Sequence, residues 1–295
     1  MDLISIDDLT DEQVERILES AELWLEDNRS SAEHRRPHED KVIFNLFYEN
    51  STRTLMSFAT AAHRLGAAVV TLPVEQSSVK KGEALEDTAR TLGAMRPDVL
   101  IIRHPENGAA SEVAEIVDAP VINAGDGTNE HPTQALLDAA TIRHKVGEVA
   151  GLKVAICGDI KHSRVARSNG KLLPRLGAEV RFAGPPELMP DWVSPMSVDE
   201  AIAGADVVMM LRVQRERLES ELGDAPGEYL QRYGLTADRL AQAAPSALVM
   251  HPGPMNRGIE IDSAIADDAA RSLITLQVEM GVATRMACLE LVLDA

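Results

Sequence analysis

Four arginines stand where an anion could be met. They are Arg53 in Ser51-Thr52-Arg53-Thr54, Arg103 in Arg103-His104-Pro105, Arg164 at the end of Gly158-Asp159-Ile160-Lys161-His162-Ser163-Arg164, and Arg212 in Leu211-Arg212-Val213-Gln214. Each closely follows an apolar run of strand length. A guanidinium is a planar fork of N–H donors that fits phosphate and carboxylate at two points. Two arginines in each half of the chain therefore point to a phosphate on one side and a dicarboxylate on the other. Ser51 to Thr54 should open a helix, where unsatisfied backbone N–H groups and the positive end of the dipole add to the hydroxyls and the guanidinium. One hydroxyl there would be an ordinary N-cap; Ser51, Thr52 and Thr54 around an arginine read as an anion cradle.

Other loops add weaker signals. Gln76-Ser77-Ser78-Val79-Lys80-Lys81-Gly82 offers paired lysines, which in most chains are only a solvated turn. Ala124-Gly125-Asp126-Gly127-Thr128-Asn129 leads into His131-Pro132-Thr133-Gln134. Pro132 suits the first turn of a helix. His131 can donate a hydrogen bond whether neutral or protonated, and so polarise a carbonyl, although a capping or core histidine is the common alternative. Gln134 brings an amide one turn later. His251-Pro252-Gly253-Pro254 is a rigid turn after another apolar run. The Gly158 loop lacks the glycine spacing of a dinucleotide fingerprint, so NAD loses its support. The histidines and the two cysteines, Cys157 and Cys288, have no metal-ligand spacing, and neither a metal nor a cofactor is expected.

The elements that must position these residues alternate strand and helix. The expected strands are Lys41 to Phe47, Ala67 to Leu72, Asp98 to Arg103 and Pro120 to Asn123, then Leu152 to Cys157, Ala178 to Ala183, Asp206 to Met210 and Ala247 to Met250. An amphipathic opening helix shows Val14, Ile17, Leu18 and Leu23, and Gly66 caps the helix that follows the first strand. A long helix runs from about His131 to Lys145, and a closing one from about Leu273 to Leu293. The fold class is α/β in two domains, 1–146 and 147–272, each a parallel β-sheet flanked by helices, with a helical segment at about 273–295. In such sheets ligands bind at the carboxyl ends of the strands, which is where the motifs lie.

Bulk composition narrows the partners. The formal charge of −18 repels phosphate backbones and anionic lipid, so neither nucleic acid nor a membrane surface is expected. No stretch approaches bilayer-spanning length, and the thiols sit in apolar runs, so a reducing, cytoplasmic setting is expected.

The set Ser51-Thr52-Arg53-Thr54, Arg103-His104-Pro105, His131-Pro132-Thr133-Gln134, Arg212-Val213-Gln214 and His251-Pro252-Gly253-Pro254, in this order, resembles the aspartate/ornithine carbamoyltransferase family. The resemblance implies that the first domain binds carbamoyl phosphate and the second L-aspartate, with the last helix packing back on the first domain. It implies that Ser51, Thr52, Arg53 and Thr54 hold the phosphate, that Arg103 bridges phosphate and carbonyl, and that His131 and Gln134 hold the carbamoyl group. Arg164, Arg212 and Gln214 would take the acceptor carboxylates, with Pro252 and Gly253 placing the reacting groups. Ser77, or Ser78 if the loop shifts by one, and Lys81 would enter a neighbouring subunit's active site in a homotrimer. The implied product is N-carbamoyl-L-aspartate for de novo pyrimidine biosynthesis. Ornithine as acceptor and a non-catalytic relative are the alternatives, and a regulatory or dihydroorotase-like partner is a further possibility within the family. Leu55, where many members carry a basic residue, and Gly253, where others carry leucine, depart from the pattern without removing a reacting side chain.

Overall fold

The computed structural model describes residues 1–31, 34–74, 77–194, 196–213 and 226–295. The chain divides into two compact units, Met1–Ala140 with Val278–Ala295, and Thr141–Gln277. Both divisions fall inside helices.

The first unit holds α1 (Asp11–Arg29), β1 (Val42–Phe47), α2 (Thr52–Arg64), β2 (Ala68–Leu72), α3 (Leu85–Ala94), β3 (Val99–His104), α4 (Ala109–Ile116), β4 (Val121–Asp126) and the start of α5 (Pro132–Val146). Its sheet is parallel throughout in the order β2-β1-β3-β4. Every residue of β3 and β4 is buried, which explains the apolar run Val99 to Ile102 in β3: a parallel strand covered on both faces has no solvent side to alternate with. Strand β2 lies at the edge and is largely exposed, with Val70 49% accessible.

Strand β4 runs three residues beyond its expected end at Asn123. Its polar residues satisfy one another: Asn123 donates to Asp126 at 2.8 Å and accepts from the Gly125 N–H at 2.8 Å, so the strand can continue buried. The N-terminal segment covers its outer edge, with Leu3 donating to the Val121 carbonyl and accepting from the Asn123 N–H.

Helix α1 opens with a reciprocal cap between Thr10 and Gln13. It buries Val14, Ile17, Leu18, Ala21, Trp24 and Leu25, while Leu23 is 59% exposed. The expectation that Leu23 shares the buried face is corrected: at about 100° per residue it falls about 160° around the helix from Ala21 and points away from the buried residues. Gly66 takes a φ of 95° just past α2, the left-handed stop expected of it.

The second unit contains β5 (Lys153–Cys157), α6 (Arg164–Arg175), β6 (Glu179–Ala183), α7 (Val198–Ile202), β7 (Val207–Met210), α8 (Pro226–Tyr233), α9 (Ala237–Leu240), β8 (Leu248–Met250) and α10 (Ser263–Ala266). Its parallel sheet has the order β6-β5-β7-β8. The core on one face gathers Ala155, Cys157, Val208, Met210, Val249 and Ile261.

The closing helix α11 (Ile274–Leu293) packs on helices of the first unit. Trp24 of α1 donates its indole N–H to Glu290 at 2.6 Å, Arg29 makes a two-point pair with Glu279 at 2.7 Å, and the Arg285 guanidinium lies 5.0 Å from the Phe58 ring of α2. Cys157 and Cys288 are wholly buried, and burial pushes both thiols up to about 12, which makes them packing residues rather than nucleophiles. Among the described residues no helix is long and apolar enough to cross a membrane.

The two sheets share one topological feature that matters for function. In each, the chain lays its second strand on one side of the first and its third on the other, so the strand order reverses between β1 and β3 and again between β5 and β7. Loops leaving two such neighbouring strands part to opposite sides and open a crevice at their carboxyl ends.

Candidate active site

In the first unit, β1 ends at Phe47, and Ser51 caps α2 by accepting the Thr54 N–H at 3.4 Å. The first turn of α2 contains no acidic residue. Arg53 and Thr52 are exposed there, while Thr54 is buried and its carbonyl accepts from Ser57 at 3.1 Å. Arg53 is in no ion pair among the described residues. A helix start with no acidic residue in its first turn and an exposed guanidinium is suited to an anion.

Across the reversal, Arg103 lies near the end of β3 and is buried. Its guanidinium donates to the Ala124 carbonyl at 3.1 Å and to Glu49 at 2.9 Å. Glu49 escaped the sequence reading because a lone glutamate two residues before a Ser/Thr cluster is indistinguishable from a surface residue. In the structure it pairs with the buried Arg103 guanidinium. The neighbouring His104 accepts the Glu106 N–H at its Nδ1 at 3.1 Å, and burial pulls its pKa below the usual histidine range.

The loop after β4 delivers His131 and Gln134. Asp126 gathers this loop by accepting from Gly108 N–H at 2.7 Å, Asn129 at 3.1 Å and Glu130 N–H at 3.1 Å. Glu130 in turn accepts the Ser5 hydroxyl at 2.6 Å and the Ile6 N–H at 3.1 Å, so the N-terminal segment pins the residue next to His131. His131 is buried directly before Pro132, the first residue of α5. Gln134 donates its amide nitrogen to Asp138 at 3.0 Å, which leaves its carbonyl oxygen to accept from a ligand N–H. Asp138 is fully buried, and its charge also acts on Arg285 of α11. Burial drives Arg285 down to about 10, Asp138 raises it and Arg103 lowers it. Arg285 was not expected from the sequence; the signal for it is the one basic residue of the closing helix, set among small and apolar neighbours.

Ser77 and Lys81 leave the carboxyl end of the edge strand β2. Ser77 donates to the Val74 carbonyl at 2.8 Å and accepts the Val79 N–H at 3.3 Å, capping a short turn over Ser78–Lys81. Lys81 is exposed, and Ser78 is exposed beside it.

The second unit has the same plan. After β5, Asp159 accepts the His162 N–H at 3.1 Å and pairs with its ring at 2.8 Å. Ser163 caps α6 by accepting the Ala166 N–H at 3.1 Å, and Arg164 is the first residue of that helix, half-buried. Across the reversal, Arg212 follows β7, exposed and in no ion pair among the described residues. Gln214 lies outside the described residues. Pro252 and Gly253 follow β8, the next strand over, both half-buried, with Gly253 at a φ of 71° that favours glycine.

Gly158 fixes the spacing between the loops after β5 and β7. Its φ is 132°, and a Cβ there would stand 2.8 Å from the Leu211 carbonyl oxygen. We expect Gly158→Ala to lower stability by about 1–3 kcal/mol from backbone strain. Because Leu211 directly precedes Arg212, it should also weaken the binding of a dicarboxylate. Thermal unfolding with and without succinate measures both effects.

Each unit thus presents an exposed arginine at one side of a strand reversal and a second arginine at the other. Comparison with known proteins gives the family. Residues 1–144 match the model of the aspartate/ornithine carbamoyltransferase carbamoyl-P binding domain, and residues 150–292 that of the Asp/Orn binding domain. The aspartate carbamoyltransferase catalytic subunit of Sphingopyxis alaskensis is 56% identical over 299 residues, covering 98% of this chain and 86% of that one. That of Rhizorhabdus wittichii is 57% identical over 280 residues, covering 93% and 89%. Among solved structures, aspartate transcarbamoylase from Trypanosoma cruzi in complex with carbamoyl aspartate and phosphate superposes with a TM-score of 0.86 at 32% identity, covering 98% and 94%. Ornithine carbamoyltransferase from Pyrococcus furiosus gives 0.88 at 28%, covering 100% and 97%, so backbone shape alone does not separate the two acceptors. With both of its halves matched in order, this chain belongs to the aspartate/ornithine carbamoyltransferase family.

Proposed function

We propose that the chain is an aspartate carbamoyltransferase, converting carbamoyl phosphate and L-aspartate to N-carbamoyl-L-aspartate and phosphate in de novo pyrimidine biosynthesis. The observation that carries this reading is the pair of exposed guanidiniums with no ion pair among the described residues, Arg53 at the start of α2 and Arg212 after β7, in a chain of charge −18. A cation left unneutralised amid so much negative charge is suited to an anionic ligand. Aspartate supplies carboxylates for the second unit. Ornithine would bring a cationic side chain towards Arg212, and the identity of 56% and 57% to aspartate carbamoyltransferase catalytic subunits favours the acid.

In the proposed chemistry, Ser51, Thr52, Arg53 and Thr54 bind the phosphate, and Arg103 joins phosphate to carbonyl oxygen. Thr54, Arg103 and His131 donate to that oxygen as charge gathers on it, the role in which preorganised donors lower a barrier most. Gln134 accepts from the carbamoyl NH2 through its free carbonyl. Arg164, Arg212 and Gln214 hold the aspartate carboxylates, and the backbone at Pro252 and Gly253 orients the amine. The amine lone pair forms a bond to the carbamoyl carbon, the bond from that carbon to the phosphate oxygen breaks, and the departing phosphate takes the amine proton. No covalent enzyme intermediate is required.

We further propose a homotrimer in which Ser77 and Lys81 complete a neighbour's site, acting in the cytoplasm. Support comes from the exposed edge strand β2 and from Lys81, exposed in the turn that follows it. Acidic composition and buried thiols suit a reducing compartment. The direct test is an initial-rate assay of carbamoyl-aspartate formation; production no faster than the uncatalysed background would sink the reading.

A further inference from the structure

The turn after β8 is tied down from inside its own unit by buried polar groups. The His251 N–H donates to Gln277 at 2.9 Å, and the Gly253 N–H donates to His251 Nδ1 at 2.9 Å. Because Nδ1 accepts, the ring proton sits on Nε2, 3.2 Å from Glu260 Oε1, with both side chains fully buried. The same carboxylate oxygen accepts the Asn256 N–H. Thus Glu260 fixes both His251 and the backbone of Asn256.

Asn256 then reaches to the neighbouring strand end. Its Nδ2 donates to the Val213 carbonyl at 3.1 Å. Val213 is buried and directly follows Arg212. On the other side, the Leu211 N–H donates to the Cys157 carbonyl at 2.8 Å, and Leu211 lies so close to Gly158 that a Cβ there would stand 2.8 Å from its carbonyl oxygen. Arg212 is therefore held between a β5 contact at Leu211 and, at Val213, a contact from the segment that follows β8. Its own side chain is exposed and has no ion pair among the described residues, so its direction is set by this backbone.

We propose that Asn256 is a positioning residue for acceptor specificity: through Val213 it aims the Arg212 guanidinium at a carboxylate, with Glu260 and His251 holding Asn256 in place. The proposal rests on the aspartate reading above. Asn256 donates where neither aspartate nor alanine can, and loss of that donor leaves a buried carbonyl unsatisfied, which its segment relieves by moving.

Steady-state kinetics of the intact enzyme tests this. Asn256→Asp and Asn256→Ala should each raise the aspartate concentration for half-saturation about tenfold, the equivalent of one lost buried hydrogen bond. Half-saturation by carbamoyl phosphate should stay within about twofold, and kcat within about threefold. Glu260→Gln, which keeps an acceptor oxygen for His251 and Asn256, should remain within about threefold of the parent in all three. A general structural weakening would move both substrates together. An unchanged aspartate requirement in both Asn256 variants, or parallel losses for both substrates, overturns the inference while an active parent leaves the function standing. A parent that does not carbamoylate aspartate at all overturns both.

Discussion

Arg53→Ala is expected to lower kcat/KM for carbamoyl phosphate by about a hundredfold to a thousandfold while leaving the fold intact. The guanidinium is exposed at the first turn of α2 and has no ion pair among the described residues, so its removal should change folding stability by less than about 0.5 kcal/mol. Its whole contribution then appears in substrate binding and in stabilising the departing phosphate, where a single preorganised donor is worth about that factor. Arg212→Ala is expected to fail differently. Saturation by carbamoyl phosphate should be near normal, while the aspartate requirement rises about tenfold to a hundredfold, as expected for losing a charge-assisted hydrogen bond. Separate titrations of the two substrates on each variant make the comparison. Equal losses for both substrates in both variants would contradict the division of labour between the units.

The second large effect is recovery of activity from two inactive chains. Lys81→Ala and Arg53→Ala homotrimers should each be nearly dead. If Lys81 serves a neighbour's site and Arg53 its own, every mixed trimer contains one site with both residues intact, and roughly a third of parental activity should return per hybrid trimer. Charge-tagged hybrids separated by ion exchange allow each species to be assayed. Hybrids that form and remain inactive would place Lys81 in its own subunit's site or outside the chemistry. The shared arrangement is the one the family resemblance implies, and Lys81, exposed in the turn that follows β2, is accessible to take part in it.

The frame of both sheets was legible in the sequence because parallel strands buried on both faces write themselves as uninterrupted apolar runs, as in Val99-Leu100-Ile101-Ile102. The arginines were legible because each breaks the pattern at a strand end. Where periodicity was ambiguous the sequence misled: Leu23 looks as apolar as Leu18 yet turns outward, and β4 continues past Asn123 because its polar groups satisfy one another. The supporting shell was largely invisible. Glu49 meets Arg103 from 54 residues away, and Ser5 meets Glu130 from 125 away, pairings that no local spacing encodes. Glu260 and His251 are close in sequence, but a glutamate in a Pro/Gly-rich turn reads as solvated, and its complete burial is a tertiary fact. Arg285 was the exception that sequence could have flagged, since an arginine amid apolar helix residues must be buried or strained.

Both substrates have to be anions of the stated kinds for the guanidinium plan to hold. The most direct measurement gives the enzyme carbon-13 carbamoyl phosphate with equal concentrations of L-aspartate and L-ornithine and follows the carbamoyl carbon by NMR. We expect the label to accumulate in N-carbamoyl-L-aspartate with no enzyme-dependent citrulline. Label appearing in citrulline, or remaining in carbamoyl phosphate and its spontaneous breakdown products, would contradict the assignment of Arg212 and its neighbours to a dicarboxylate.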